Sequence, residues 1–301
     1  MGQLQELSLF RNNLQGPLFT ELNQLTLLRS LDLERNSMSG NPFPALTSSS
    51  LTSIKISFNS FSGQIPENIG ELNPDLVDLW IANNLFSMSL PSSLGNLASL
   101  QNLLIYENAF TGSLPASLGN CDLRVFLAYE NMLGGQIPPE LFNNVDLQIL
   151  RLNDNRFTGS LPLEIGNADR LSDISLNYNM LSGELPASIG SLTSLSKCCQ
   201  SYEILTSTEI SQNDFLFVPA FLSMANNSFA GEIPDVFSSF SSLLFFDLQN
   251  NTFSSTIPST VFDSLDLRFA YLNGNELTGP IPANFAVSQE DNSTCHATCT
   301  L

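Results

Sequence analysis

Histidine is nearly absent from this 301-residue chain: His296 is the only one. With no imidazole in the body of the chain, neither a Ser, His and Asp triad nor a Cys and His pair can be assembled there. Basic residues are scarce too, 10 Lys and Arg against 29 Asp and Glu. That balance argues against nucleic acid or an anionic membrane surface as partner, since both need basic patches. No run of 18 apolar residues occurs, so no membrane insertion by this chain is expected. A GxxxxGK phosphate loop is missing, and the many carboxylates show no spacing that singles out an acid and base pair. The expectation is a chain without enzymatic activity, metal or cofactor. A signal peptide is not expected either, because Leu4 opens a strand pattern almost directly after Met1. Gly2 does not read as a myristoylation site, since position 6 is Glu.

Cysteines are few: Cys121, Cys198, Cys199, Cys295 and Cys299. Cys121 reads as a small buried residue at a junction. Cys295 and Cys299 are a disulfide candidate near the C-terminus, with too few companions for a metal site. Three glycosylation acceptor patterns occur, at Asn226 (NNS), Asn250 (NNT) and Asn292 (NST).

What the chain has is a repeat. Taking Asn108 of LQNLLIYENAFTGSLPASLGN as the phase mark, equivalent asparagines stand at Asn12, Asn36, Asn59, Asn84, Asn131, Asn155, Asn179, Asn227, Asn251 and Asn275, in steps of 23 to 25 residues with one of 48. Apolar or small residues precede the marks by eight, five and three places, as Leu100, Leu103 and Ile105 do, with an exception at the 48-residue step. The alternation is too short for a helix and predicts one brief strand per unit, the strands stacking in parallel. Such a period marks a solenoid, in which each unit buries its apolar face only against its neighbours. The marked asparagines are expected to satisfy backbone groups of the turns. Nine of the eleven units place a glycine four residues beyond the mark; Met88 and Ser255 replace it, which suggests that positive φ is not required at every turn. Nine units then carry Ile or Leu followed by proline, from Ile65 and Pro66 to Ile281 and Pro282, and then one turn of helix is expected, as over Ala116 to Asn120.

The unit LxxLxLxxNxFxGxLPxxLGNL resembles the plant-type leucine-rich repeat of receptor-like kinase and receptor-like protein ectodomains and of polygalacturonase inhibitors. The resemblance covers nearly the whole chain. It implies an α/β solenoid, a right-handed superhelix with a concave parallel β-sheet and short 3-10 turns on the convex side, and it implies an extracellular or cell-surface setting. NPFPALTSSS (Asn41 to Ser50) departs from the pattern, as do Ala128 and Ala270 at positions usually Leu. The family's cysteine-bearing N-terminal cap is missing, so a bare sheet edge at Leu4 to Leu9, and hence a fragment or incomplete gene, is expected. We read 1–301 as one domain of about 11 repeats, with an irregular insert at 197–220 and a tail at 286–301.

Function should lie in what the strands turn outward. Between repeats 3 and 8, Lys55, Phe58, Trp80, Leu104, Tyr106, Glu107, Leu127, Tyr129, Glu130, Arg151 and Tyr178 are expected to converge on the concave face. Aromatics and arginine are enriched in binding hot spots; on a sheet they also stabilise by cross-strand packing. The contiguity of the patch favours a ligand surface. The expected role is a non-catalytic recognition module binding a peptide, a protein or wall carbohydrate. Two alternatives are an inhibitor docking on a wall-degrading glycosidase, which a basic patch would favour, and a cytoplasmic scaffold, which free thiols at Cys295 and Cys299 would favour.

Excising Lys197 to Ala220 joins the flanks in phase, with Leu195, Leu222, Met224 and Asn227 at their repeat positions. The segment is either a binding island or a retained intron. The second is preferred, because Ser196 to Cys198 can be encoded with GTAAGTG and DFLFVPA as a pyrimidine tract ending in CAG. RNA reads are therefore expected to skip the segment; coverage across it in most transcripts would refute the intron.

Overall fold

The structure, a computed structural model, describes residues 3–47, 50–196, 220–240, 242–264 and 266–285. Asn292, Cys295, Cys299, the tail from 286 and all of the 197–220 insert but Ala220 lie outside the described residues. The chain divides into two compact units, Met1–Leu147 with Leu152–Thr158, and Gln148–Arg151 with Gly159–Leu301.

In the first unit the strands Glu6–Ser8, Ser30–Asp32, Ser53–Lys55, Asp78–Trp80, Asn102–Leu104 and Val125–Leu127 follow one another in parallel. Their register sets Leu7, Leu31, Ile54, Leu79, Leu103 and Phe126 in one row. A second parallel set runs Gln15–Gly16, Ser37–Gly40, Ser60–Gly63, Leu85–Ser89, Ala109–Ser113 and Met132–Gly135. The second unit repeats this with Ile149–Arg151, Asp173–Ser175, Phe221–Ser223, Phe245–Asp247 and Phe269–Tyr271. Asp173–Ser175 pairs directly with Phe221–Ser223, so the repeat resumes across the 48-residue step in the phase its sequence indicates. Among the described residues the repeats return through short helices that are 3-10 in all but one case, as at Ala116–Asn120 after the extended Pro115; Ile69–Leu72 is a single α turn. The fold is a solenoid of parallel strands and short 3-10 turns.

Its core has two rows. Leu79, Ile81, Leu103 and Ile105 fill one side and are fully buried. Behind the turns runs a row of phenylalanines, with Phe86 stacked on Phe110 at 6.3 Å and Phe229 on Phe253 at 6.1 Å. Each such ring contributes a large buried apolar area and an offset stack to the next. On the helical side the repeats approach so closely that a Cβ on Gly119 would lie 2.1 Å from the Glu140 carbonyl oxygen. Cys121 is buried at a repeat junction, its Sγ 3.4 Å from the Leu94 carbonyl oxygen. Burial, then the Asp122 charge, pushes its thiol up to about 12.

The marked asparagines tie the repeats together. Asn108 Nδ2 donates to the carbonyls of Ile105, Tyr106 and, one repeat back, Ile81, each at 3.1 Å. Its Oδ1 accepts the Phe86 N–H at 2.9 Å. Asn36, Asn59, Asn84, Asn131 and Asn155 do the same in the first unit, and Asn227 and Asn251 in the second. One carboxamide thereby satisfies four backbone groups that would otherwise be buried unpaired. The residue before each mark from Arg11 to Asn250 is left-handed, with φ between 47° and 56°.

One expectation fails. Met88 and Ser255, which replace the turn glycine, adopt φ of 73° and 70°, the same conformation as the glycines, so the turn imposes positive φ in those repeats as well. The neighbouring rungs fix the backbone, and the side chain absorbs the strain, roughly 1–2 kcal/mol for a non-glycine residue. Met88 is 59% exposed and contributes little packing in return. Met88→Gly should therefore raise the unfolding free energy, by about 0.5–1 kcal/mol after the entropic penalty of glycine is subtracted. Urea unfolding checks this, and a loss of stability would mean that Met88 packs in a way its exposure hides.

Candidate functional site

Alternation along a strand turns every second side chain away from the core. In the first unit the outward rank at the strand ends reads Ser8, Asp32, Lys55, Trp80, Leu104 and Leu127. Two residues on, Phe10, Glu34, Ser57, Ala82, Tyr106 and Tyr129 form a second rank, and the left-handed turn residues Arg11, Arg35, Phe58, Asn83, Glu107 and Glu130 a third. Nine of the predicted site residues fall on these ranks, from Lys55 to Glu130.

Their exposure differs from expectation. Trp80, Leu104, Tyr106 and Leu127 are at most 3% exposed, and Lys55 is 6% exposed. In-register parallel strands hold equivalent positions only about 4.8 Å apart, so a large outward side chain is flanked on both sides. Tyr106 stacks on Tyr129 with ring centres 4.5 Å apart and meets Phe58 edge-on at 6.4 Å. Lys55 Nζ sits 4.0 Å from the centre of the Trp80 ring, and the Arg35 guanidinium 4.4 Å from that of Phe58. These cation–π contacts hold both cations on ring faces. Asn83 Nδ2 donates to the Glu107 carboxylate. The accessible surface is a rim of Phe58, Glu107, Tyr129 and Glu130 around a packed floor.

Glu34, Asp32 and Arg35 belong to this cluster and were missed by the sequence reading, although they occupy the same ranks one repeat earlier. Asp32 Oδ1 accepts the Glu34 N–H at 3.1 Å. Burial, reinforced by the Asp32 charge, pushes the Glu34 carboxyl from 4.5 to about 7, against the pull of Ser57, Lys55 and Arg35. Burial and then its neighbours Glu107 and Asp154 raise Glu130. Burial and then Glu107 push the Tyr106 phenol up.

In the second unit Arg151 is committed to a buried partner. Its guanidinium reaches the Asp173 carboxylate at 2.5 Å from Nη2 and 3.1 Å from Nε, and the Asp173 side chain has no exposure. Asp173 lies in an outward rank two residues earlier on the strand, which the sequence reading did not follow. Further along that rank stand Phe221, Phe245 and Phe269, the first two stacked at 4.4 Å. An alternation count extended to this rank would have found them. Tyr178 is 55% exposed. Asn226 and Asn250 flank the same unit, Asn250 Nδ2 donating to Asn226 Oδ1 at 2.9 Å. Among the described residues no group of three or more His, Cys, Asp or Glu could hold a metal ion.

The Leucine Rich Repeat family pattern matches residues 50–72 and 146–168. Receptor-like protein 9b of Arabidopsis thaliana is 33% identical over 99 residues, 33% of this chain and 10% of that one. Among solved structures, the leucine-rich-repeat ectodomain of the plant membrane receptor kinase GASSHO1/SCHENGEN3 from Arabidopsis thaliana, in complex with Casparian strip integrity factor 2, matches with a TM-score of 0.78 and 32% identity over 94% of this chain and 34% of that one. The plant peptide hormone receptor RGFR1 in complex with RGF2 matches with a TM-score of 0.79 and 30% identity over 95% of this chain and 46% of that one. The chain thus spans between a tenth and less than half of the length of these relatives.

The raised carboxyls set a pH dependence. Glu34, Glu130 and Asp247 all bind protons more tightly in the folded state than in the unfolded one, Asp247 chiefly through burial. Between the two values the folded state holds the extra proton, so stability falls as pH rises. For Glu34 that window runs from 4.5 to about 7. Unfolding midpoints should be higher at the acid end of this window than at the neutral end, and Glu34→Gln should flatten the difference. A midpoint that rises toward neutral pH in both proteins would show that Glu34 ionises freely.

Proposed function

Starting from a chain that is a plant-type leucine-rich-repeat protein, we infer that it is a recognition module without catalytic function of its own. It serves as the ligand-binding part of a receptor-like or secreted protein outside the cell, and its ligand is a peptide or protein. The observation that carries this reading is the rim of the first unit. Phe58, Tyr129, Glu107 and Glu130 stand on repeat positions that the core does not require, over a floor already fixed by Trp80, Leu104, Tyr106 and Leu127. A pre-organised aromatic surface loses little conformational entropy on binding. The receptor ectodomains similar in fold were solved with ligands bound, one of them a peptide hormone receptor, which supports the same class here.

Charge narrows the ligand. The formal net charge is −19, and Glu107, Glu130 and Asp154 follow one another on successive turns, while Arg35 and Lys55 are turned onto rings. Complementarity calls for a ligand of net positive charge, with association that slows as salt rises.

The test is a binding screen of the secreted chain against cationic and anionic synthetic peptides, with oligogalacturonides and a wall glycosidase as separate arms. A cationic peptide should bind, and Phe58→Ala with Glu130→Lys should weaken it at least tenfold while thermal unfolding hardly moves. Trp80→Ala, by contrast, should lower the unfolding free energy by about 3 kcal/mol, because the ring is core in all but position. Binding confined to the sugar or glycosidase arm would overturn the peptide reading.

A further inference from the structure

The sequence offers two motifs that a ligand surface on the first unit does not use, the acceptor patterns at Asn226 and Asn250. Both asparagines are left-handed turn residues with φ of 53°. The next residue in each case, Asn227 or Asn251, turns inward as a rung of the carboxamide ladder. Asn226 and Asn250 are left on the flank, and their amides are not equivalent. Asn250 Nδ2 donates to Asn226 Oδ1 at 2.9 Å. Oδ1 is held toward Asn250 on one side of the turn, and the side away from that bond faces the preceding repeat. There the same turn position on the adjacent repeat is Tyr178, 55% exposed and itself left-handed at φ 54°. Backbone bonds join the two turns, Tyr178 N–H to the Ala225 carbonyl at 3.0 Å and Asn179 N–H to the Asn226 carbonyl at 3.4 Å. Equivalent positions on adjacent parallel strands are about 4.8 Å apart, a span that one sugar on Asn226 is long enough to bridge.

We propose that Asn226 carries an N-linked glycan and that Tyr178 is the platform on which its first N-acetylglucosamine rests. The donor is an oligosaccharide linked to a lipid diphosphate. The bond from its anomeric carbon to the diphosphate oxygen breaks, a bond from that carbon to Asn226 Nδ2 forms, and the amide gives one proton to a base of the transferase, with no change of oxidation state. One N–H stays on the nitrogen, and Oδ1 keeps its bond to Asn250. The polarised C–H groups on one face of the sugar meet the electron-rich face of the tyrosine ring. This accounts for an exposed aromatic at a strained backbone position that contributes nothing to the core. It also removes Tyr178 from the ligand surface.

The proposal rests on the extracellular placement inferred above, so its test supplies secretion and reads no ligand. The full chain is expressed behind a secretory leader in plant cells, and glycans are released enzymatically in heavy-oxygen water, which tags each formerly occupied asparagine. Asn226 should be tagged, and Ser228→Ala should abolish the tag without touching the amide. Tyr178→Ala should lower the thermal midpoint by about 2 °C in the glycosylated protein and leave it unchanged in the Ser228→Ala background. An untagged Asn226 in secreted protein, or the same Tyr178→Ala shift in both backgrounds, overturns the proposal. A ligand screen that fails leaves it standing, and a chain that is glycosylated yet binds no peptide counts against the receptor reading alone.

Discussion

A single side-chain amide per repeat carries the fold. The strands that precede the marked asparagines are three residues long, so each contributes only a few backbone bonds to its neighbours, and the chain must leave every one of them through a tight turn whose carbonyls face inward. The ladder asparagine closes that turn by donating to two carbonyls of its own repeat and one of the repeat before, while its oxygen accepts an N–H across the gap. At about 1 kcal/mol net for each hydrogen bond, a rung offsets the roughly 1–2 kcal/mol of left-handed strain at the residue before it. An aspartate has no N–H to give the three carbonyls, and a glutamine reaches past them. Asparagine is the residue whose length and pair of polar atoms fit.

The ladder fixes more than the turn. It sets the stacking interval, and the interval decides what outward side chains can do. A serine or alanine in an outward rank leaves room beside it, whereas an aromatic side chain on two successive strands fills the gap, as Tyr106 and Tyr129 do at 4.5 Å. Large outward residues therefore become a second, smaller core on the face of the sheet. Lys55 on Trp80 and Arg35 on Phe58 follow from the same crowding: a long cation beside a ring finds the ring face nearer than water. In this geometry an exposed position in the sequence pattern is not an exposed residue.

The period, the strand and turn positions, the apolar row and the asparagine rungs were legible in the sequence, because each is a local choice repeated eleven times. The phase across the long step was legible for the same reason, since Leu222, Met224 and Asn227 keep their intervals from the next repeat. What could not be read were properties that depend on two repeats at once. Met88 and Ser255 look like exemptions from a glycine rule, yet the rungs on either side impose the backbone regardless of the residue. Trp80 looks like a probe held out to solvent until the widths of its neighbours are added. Arg151 looks available until Asp173, on the next strand and two places earlier in its alternation, is set against it. In each case the missing information is lateral, and a period of about 24 residues places the lateral neighbour far away in sequence.

The turn residue before each asparagine is the position least bound by these constraints. Its backbone is fixed by the rung that follows, so its conformation does not depend on its side chain, and its side chain points to the flank where no core needs it. That is why Arg11, Arg35, Phe58, Asn83, Glu107, Glu130, Asp154, Tyr178, Asn226 and Asn250 share one backbone geometry with no common chemistry. A rank held rigidly in place and free in composition is suited to recognition: the acidic run from Glu107 in the first unit gives the rim its sign, and the pair Asn226 and Tyr178 in the second offers an amide beside a ring. Strain that the fold already bears at every repeat is thereby turned into a row of side chains whose spacing is set before any partner arrives.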